Sequence, residues 1–268
     1  MVEVLEYTSV STTQTESVLL HQTSIDVIVP AYNEEETVVK TLQKISGTLG
    51  RTTHEFRLIV VDDGSRDGTA GRIKEYGKTA EGRMLTFVRN GRNAGKGAAI
   101  RRASEFVNGD VVAILDADLE IDPKQLELYI DALKSADMCI ASKRHPNSVY
   151  GARAWRKVLS VGFNKLVRIA TGLKESDTQA GLKVVKSEFF RQMVAPVVVK
   201  RYAFDVEMLL VAKLLKMNVV QLPVKVEQDS GFRFIELINM LRDLVGIAYR
   251  LRVTKWYQRA LVEGLREQ

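Results

Sequence analysis

The chain reads as an α/β protein built on a mostly parallel, doubly wound sheet. Three observations predict this. Short β-branched runs alternate with helix-period segments through the first half of the chain. Acidic and glycine-rich motifs fall just after those runs, where ligands of such sheets bind. A length of 268 residues with 46% hydrophobic content is enough to bury the core such a sheet needs.

In order, IDVIVP (25 to 30) reads as a strand and EEETVVKTLQKISGTL (34 to 49) as a helix with acids in its first turn. FRLIVVDD (56 to 63) is a second strand, followed by a helix from about 69 to 76, a strand MLTFVRN (84 to 90), a helix over 96 to 106 and the strand DVVAILD (110 to 116). The second half is less regular: a helix over 153 to 171, a strand GLKVVK (181 to 186), helices near 187 to 194 and 205 to 217, and a strand VVQLPVKVE (219 to 227). Three regions result: a disordered tail over 1 to 24, polar and aperiodic between 8 and 17; a globular α/β domain over 25 to 230; and a helical tail over 231 to 268. In the last, Ile235, Ile238, Leu241, Leu244, Val245, Ala248 and Leu251 follow helical spacing among basic residues, with Trp256 and Tyr257 beside them. Such a helix suits a membrane surface or the protein's own core.

Composition excludes several classes. Cys139 is the only cysteine, so no intrachain disulfide forms, and it reads as a small buried apolar residue. No basic stretch precedes an apolar core at the amino terminus, and no run approaches the roughly 18 apolar residues of a membrane span. A cytoplasmic protein, peripheral on the cytoplasmic face of a membrane, is expected. The formal charge is +6, and from Met138 to Lys174 there is no acid among eight lysines and arginines, which points to an anion site. No nucleic acid is expected, because the aromatic residues there are only Tyr150, Trp155 and Phe163.

The chemistry begins at ILDADLEID (114 to 122). On an extended chain Asp116, Asp118 and Glu120 share a side, and clustered carboxylates call for a hard cation, Mg²⁺ or Mn²⁺, that keeps open positions for phosphate oxygens. VVDDGSRDGT (60 to 69) ends a strand with acids that can bind a base or ribose, while Ser65, Asp67 and Gly68 read as a turn and helix cap. RNAGKGAAIRRA (92 to 103) opens a helix with a glycine-bracketed Lys96, an arrangement suited to phosphate through backbone amides and the ammonium. It has neither P-loop nor dinucleotide-fold glycine spacing.

Together VPAYNEEETV, VVDDGSRDGT, NAGKGAAIRRA, LDADLE, SKR (142 to 144), DTQAGLK and FDVEML resemble, in order and spacing, the inverting family 2 glycosyltransferases of GT-A fold. Within them the chain is similar to the dolichyl- and polyprenyl-phosphate mannose and glucose synthases, from about Ile25 to Val226. The resemblance implies that Pro30, Tyr32, Glu34, Val61 and Asp63 hold the nucleoside, and that Asp116, Asp118 and Glu120 bind the metal that carries the donor diphosphate. It implies that Arg144, Arg156 and Ser160 hold the acceptor phosphate, inside the acid-free stretch, with Arg233 of EQDSGFRF in the place of a basic segment that the mannose synthases carry there. Asp177, Gln179 and Asp205 are expected at the sugar or the metal. Glu120 stands where the mannose synthases commonly have Gln, and DTQAGLK with AFDVEML looks more like the glucose synthases, so mannose and glucose both stay open.

The implied reaction moves a hexose from GDP-mannose or UDP-glucose to dolichyl or polyprenyl phosphate in one in-line displacement. A phosphate acceptor with a second pKa of about 6 is already anionic at neutral pH and needs no general base, in keeping with the lack of the QxxRW motif of polysaccharide-forming relatives. Two alternatives are a transferase acting on a sugar hydroxyl of a lipid-linked glycan, with Asp177 as base, and a binding protein for sugar nucleotides or acidic lipids. The lipid would be reached through the tail or a membrane-protein partner.

Overall fold

The computed structural model describes residues 3–7, 23–151, 154–179, 181–201, 203–226 and 234–264, with residues 3, 4, 6, 7, 154 to 158, 234 to 236 and 264 described by their backbone alone. One sheet of eight strands organises the chain, in the order β1-β4-β3-β2-β5-β7-β6-β8. The strands are β1 Glu3–Tyr7, β2 Ser24–Ala31, β3 Glu55–Asp62, β4 Leu85–Arg89, β5 Val111–Leu115, β6 Met138–Ser142, β7 Leu182–Lys186 and β8 Val219–Pro223. The helices are α1 Val38–Leu49, α2 Thr69–Gly77, α3 Lys96–Ala103, α4 Leu126–Ala132, α5 Ala154–Thr171, α6 Ser187–Val194, α7 Phe204–Leu214, α8 Phe234–Arg252 and α9 Trp256–Gly264.

β2 is parallel to β3 and β5, and β3 is parallel to β4. These runs are apolar at consecutive positions because both faces of the sheet are covered. Ile28, Ile59 and Val61 enter the core beneath α3 and α7, while Val27, Val29, Leu58 and Val60 enter the one beneath α1 and α2. β7 runs antiparallel to both β5 and β6, so it brings the residues before Leu182 to the carboxyl end of β5.

Three differences from the sequence reading have local causes. Residues 3 to 7, assigned to a disordered tail, form β1 by adding antiparallel to β4, which would otherwise be an open edge. Residues 8 to 22 of that tail lie outside the described residues. The first helix begins at Val38 rather than 34, because residues 34 to 37 close turns in which the Thr37 and Val38 amides bond the Glu34 carbonyl at 3.1 and 2.9 Å. β6 and α4 carry no strong pattern: MCIAS is buried at every position and LELYIDA spans seven residues.

The helical tail docks on the protein's own core. Met240, Leu244 and Ile247 of α8 and Tyr257 of α9 are buried there. The fully buried Glu207 carboxylate on α7 holds them, accepting from the Val198 and Val199 amides at 2.9 and 2.6 Å, from Arg250 Nη2 at 3.0 Å and from the Tyr257 hydroxyl. Among the described residues no helix is long and apolar enough to cross a membrane.

Candidate active site

Two loops leave the carboxyl ends of β2 and β3 and zip together. Asn33, in the left-handed region at φ 57°, donates its amide to Ser65 Oγ at 2.9 Å and accepts from the Arg66 amide at 2.9 Å. The Glu34 amide reaches Thr69 Oγ1 at 2.8 Å, and the Gly68 amide donates to Glu35 at 2.9 Å. Ser65, Asp67 and Gly68 are thus turn and capping residues, Asp67 Oδ1 accepting from Thr69 Oγ1 at 2.6 Å. Tyr32 projects from this wall at 38% exposure, with Pro30 half-buried beside it. Burial raises the Glu34 carboxyl above its usual range; a bond from Thr37 opposes this, and the charges of Asp118, Asp116 and Asp67 add to it.

Two residues expected at the nucleoside have side chains that are buried or already engaged. Val61 is wholly buried in the core, with no side-chain surface to offer a ligand. Asp63 is also buried and its carboxylate is fully engaged, accepting from Asn90 Nδ2 at 2.8 Å, the Ala94 amide at 3.0 Å and the Gly95 amide at 2.6 Å. It therefore shapes the loop before α3 instead of facing solvent. The amides at that helix start are engaged as well, since Gly97 and Ala98 donate to the Lys200 carbonyl at 2.8 and 3.3 Å. Gly95, at φ 105°, and Gly97 are required because a Cβ on either would lie 2.3 to 2.7 Å from the backbone of residues 199 and 200. At this helix start the charged side chain is Lys96.

Lys96 reaches across to the end of β5, with Nζ 2.6 Å from Asp116 Oδ1 and 2.9 Å from Oδ2. Burial works against its charge, but Asp116, Asp205 and Asp118 outweigh that and hold its pKa above the ordinary lysine value. Asp118 is raised, first by burial and then by the charge of Asp116. The third acid departs from the extended alternation. Leu119 turns at φ 61°, Asp118 Oδ1 closes that turn on the Glu120 amide at 3.0 Å, and the Glu120 carboxylate pairs with Lys143. Among the described residues no group of three or more His, Cys, Asp or Glu side chains is gathered as a metal-ligand set. A hard divalent ion needs only one or two carboxylates when diphosphate oxygens and water complete its shell. Asp116 and Asp118, unfavourably close to one another, fit that demand.

Across the site, residues 142 to 144 link the acids to the acid-free stretch. The Lys143 amide donates to Asp177 at 2.8 Å while its ammonium holds Glu120, and the next residue, Arg144, extends Nη2 to Ser160 Oγ on α5 at 2.9 Å. Burial disfavours the Arg144 charge; Asp177 opposes that effect and Arg168 adds to it. Arg168, which helical spacing places on the face of Val161 and Lys165, is near enough to act on Arg144, and its Nη2 donates to the Lys174 carbonyl at 3.1 Å. Arg156 lies on α5 where the backbone alone is described, and Arg233 lies outside the described residues. Asp177 also accepts the Gln179 amide at 3.2 Å, which makes it a loop-organising residue with its carboxylate committed to backbone donors. Asp205 is buried against Lys183 at 3.0 Å, behind Lys96 and away from any open surface.

The molecule's class follows from its fold. It is a GT-A fold, similar to glucosyl-3-phosphoglycerate synthase from Mycobacterium tuberculosis solved with Mn²⁺, UDP-glucose and phosphoglyceric acid, at a TM-score of 0.62 and 21% identity over 85% of this chain and 79% of that one. The family model described as glycosyl transferase family 2 matches residues 26–194, and the chain belongs to that family. A dolichyl-phosphate beta-glucosyltransferase of Trichomonas vaginalis is 32% identical over 244 residues, 85% of this chain and 72% of the relative. One from Drosophila melanogaster is 31% identical over 252 residues, 87% of this chain and 76% of the relative.

Proposed function

We propose that the protein transfers a glucosyl residue from UDP-glucose to dolichyl or polyprenyl phosphate, with inversion at the anomeric carbon. The observation that carries this reading is the layout of residues 142 to 144, whose consecutive side chains face the acids at one end and the Arg144–Ser160 anion seat at the other. A donor diphosphate and an acceptor phosphate would lie on either side of that segment. The names of the relatives support both the glucosyl group and the lipid phosphate.

In this reading Tyr32 and the loops after β2 and β3 hold the nucleoside, and Lys96 moves from Asp116 toward the diphosphate. Mg²⁺ or Mn²⁺ at Asp116 and Asp118 would supply charge neutralisation for the departing diphosphate. Arg144, with Ser160, Arg168 and Arg156 on α5, aligns the acceptor so that a phosphate oxygen forms the new bond to the anomeric carbon as the bond to the nucleoside diphosphate breaks. No side chain takes a proton, because the acceptor phosphate is already ionised near neutral pH. The protein reaches its acceptor as a peripheral protein, on its own or with a membrane-protein partner.

The test is a product assay with UDP-glucose and GDP-mannose against polyprenyl phosphate, with and without Mn²⁺. A metal-dependent glucosyl lipid is expected. Mannosyl product alone would overturn the donor, and equal transfer to a phosphate-free acceptor would overturn the acceptor.

A further inference from the structure

α5 and α8 lie side by side on the core, and each buries one face. Phe163 and Val167 of α5 and Met240, Leu244 and Ile247 of α8 point inward. The opposite faces are also apolar. On α5, Val161, Leu166 and Ile169 are 55%, 46% and 63% exposed. On α8, Ile238, Val245 and Tyr249 are 49%, 70% and 56% exposed, at the spacing of one helical stripe. The Arg252 guanidinium on that stripe donates to the Ile169 carbonyl, stitching the two exposed faces into one surface.

Lone exposed apolar residues need no explanation, but a contiguous set does. The charges within this set have one sign. Lys165 and Arg168 on α5, and Arg242 and Arg252 on α8, are exposed among the apolar side chains, and no described exposed position on either face is acidic. The surface also runs into the anion seat, because Ser160, which binds Arg144, immediately precedes Val161 on α5.

We propose that the outward faces of α5 and α8 together form a docking surface for an anionic lipid bilayer, set so that the Arg144–Ser160 seat opens at the headgroup plane. Apolar side chains would enter the headgroup–acyl boundary while the four basic residues meet lipid phosphates. The orientation rests on the lipid-phosphate reading above. A second copy of the chain suits the surface less, since a two-fold contact would set its cations against themselves. The tail therefore acts together with α5, as the outer half of a two-helix face that the core holds rigid.

The experiment uses the full chain and sedimentation with vesicles of phosphatidylcholine, alone and mixed with phosphatidylserine. The wild type should bind the anionic vesicles and release with salt. Ile169→Asp combined with Val245→Asp should lower binding by at least about tenfold. The double variant should keep its thermal transition and its transfer to a water-soluble short-chain polyprenyl phosphate. Failure of the wild type to bind, or unchanged binding by the double variant, would overturn the surface. A concentration-dependent dimer that the same substitutions dissolve, without vesicle binding, would assign the face to a second copy and overturn it as well. If binding is lost as expected but the wild type transfers sugar to no lipid phosphate, the surface stands and the acceptor reading fails.

Discussion

Gly181 lies directly against the proposed metal site, and its missing side chain is the feature to perturb. A Cβ built there would sit 2.6 Å from Asp116 Oδ2, whereas ordinary contact begins near 3.4 Å, so Gly181→Ala must push the carboxylate away by about 0.8 Å. The atom in the way is the end of a half-buried side chain rather than backbone, and Gly181 is not among the glycines at positive φ, so the fold can accept the methyl group. Gly→Ala at an unstrained position gains about 0.4–1 kcal/mol through the unfolded chain, and stability should stay level or rise slightly. Catalysis should not. A displacement approaching 1 Å at a positioned group costs up to about 100-fold, so kcat should fall by about 10- to 100-fold while the urea midpoint does not fall. Steady-state nucleoside diphosphate release alongside the urea titration checks this. Wild-type kcat in folded Gly181→Ala protein would refute Asp116 as a ligand of the metal that holds the reacting diphosphate.

Asp118→Ala should lower nucleoside diphosphate release by at least about 100-fold without altering the melting transition, because it removes charge stabilisation of the leaving group. Glu207→Leu should cost about 4 kcal/mol in urea unfolding, since it strands two buried amides and Arg250. Asp110 accepts from the Ser24 hydroxyl and amide at 2.7 and 2.9 Å, and those bonds hold its pKa below 3.8. A depressed carboxyl stabilises the fold above its unfolded pKa, and that contribution is lost as pH falls through the lower folded value. Acid titration of the urea midpoint should therefore show a loss beginning near pH 4 that is smaller in Asp110→Asn.

The central sheet was legible in the sequence because its strands are buried on both faces, which writes a run of consecutive β-branched residues into IDVIVP and LIVV. β6 was not, because Met, Cys and Ala have no strand bias and the segment is only five residues long. The direction of β7 was equally hidden, since nothing in LKVVK distinguishes a strand that returns antiparallel between β5 and β6 from one that runs parallel. In the site, the acids at the ends of β3 and β5 could be seen as acids, but their partners lie far along the chain: Lys96 is 20 residues from Asp116 and Lys143 is 23 from Glu120. Asp63 illustrates the cost. Its position in VVDDGS fits a nucleoside contact, yet three donors across the loop at 90 to 95 consume its carboxylate.

Those long-range partners also localise the electrostatic need of the site. Three of its carboxylates are matched to lysines: Asp116 to Lys96, Glu120 to Lys143 and Asp205 to Lys183. Asp118 differs. Among the described residues its side chain accepts from the Glu120 amide alone, and burial and Asp116 raise its pKa. In the proposed reading a divalent ion brought to this cluster would be drawn to Asp118 first, with Asp116 as the group it shares with Lys96. The two demands on Asp116 could not both be met at full strength, so the ion would loosen Lys96. That lysine opens α3, and its freed ammonium would then be available to the phosphates of a nucleotide. Metal and donor should then bind with mutual enhancement in the wild type, measured as a tighter nucleoside diphosphate Kd in Mn²⁺. Lys96→Met should reduce that enhancement to the part carried by direct contact of metal and diphosphate, while leaving metal binding intact; full enhancement in the variant would show that Lys96 plays no part in the exchange.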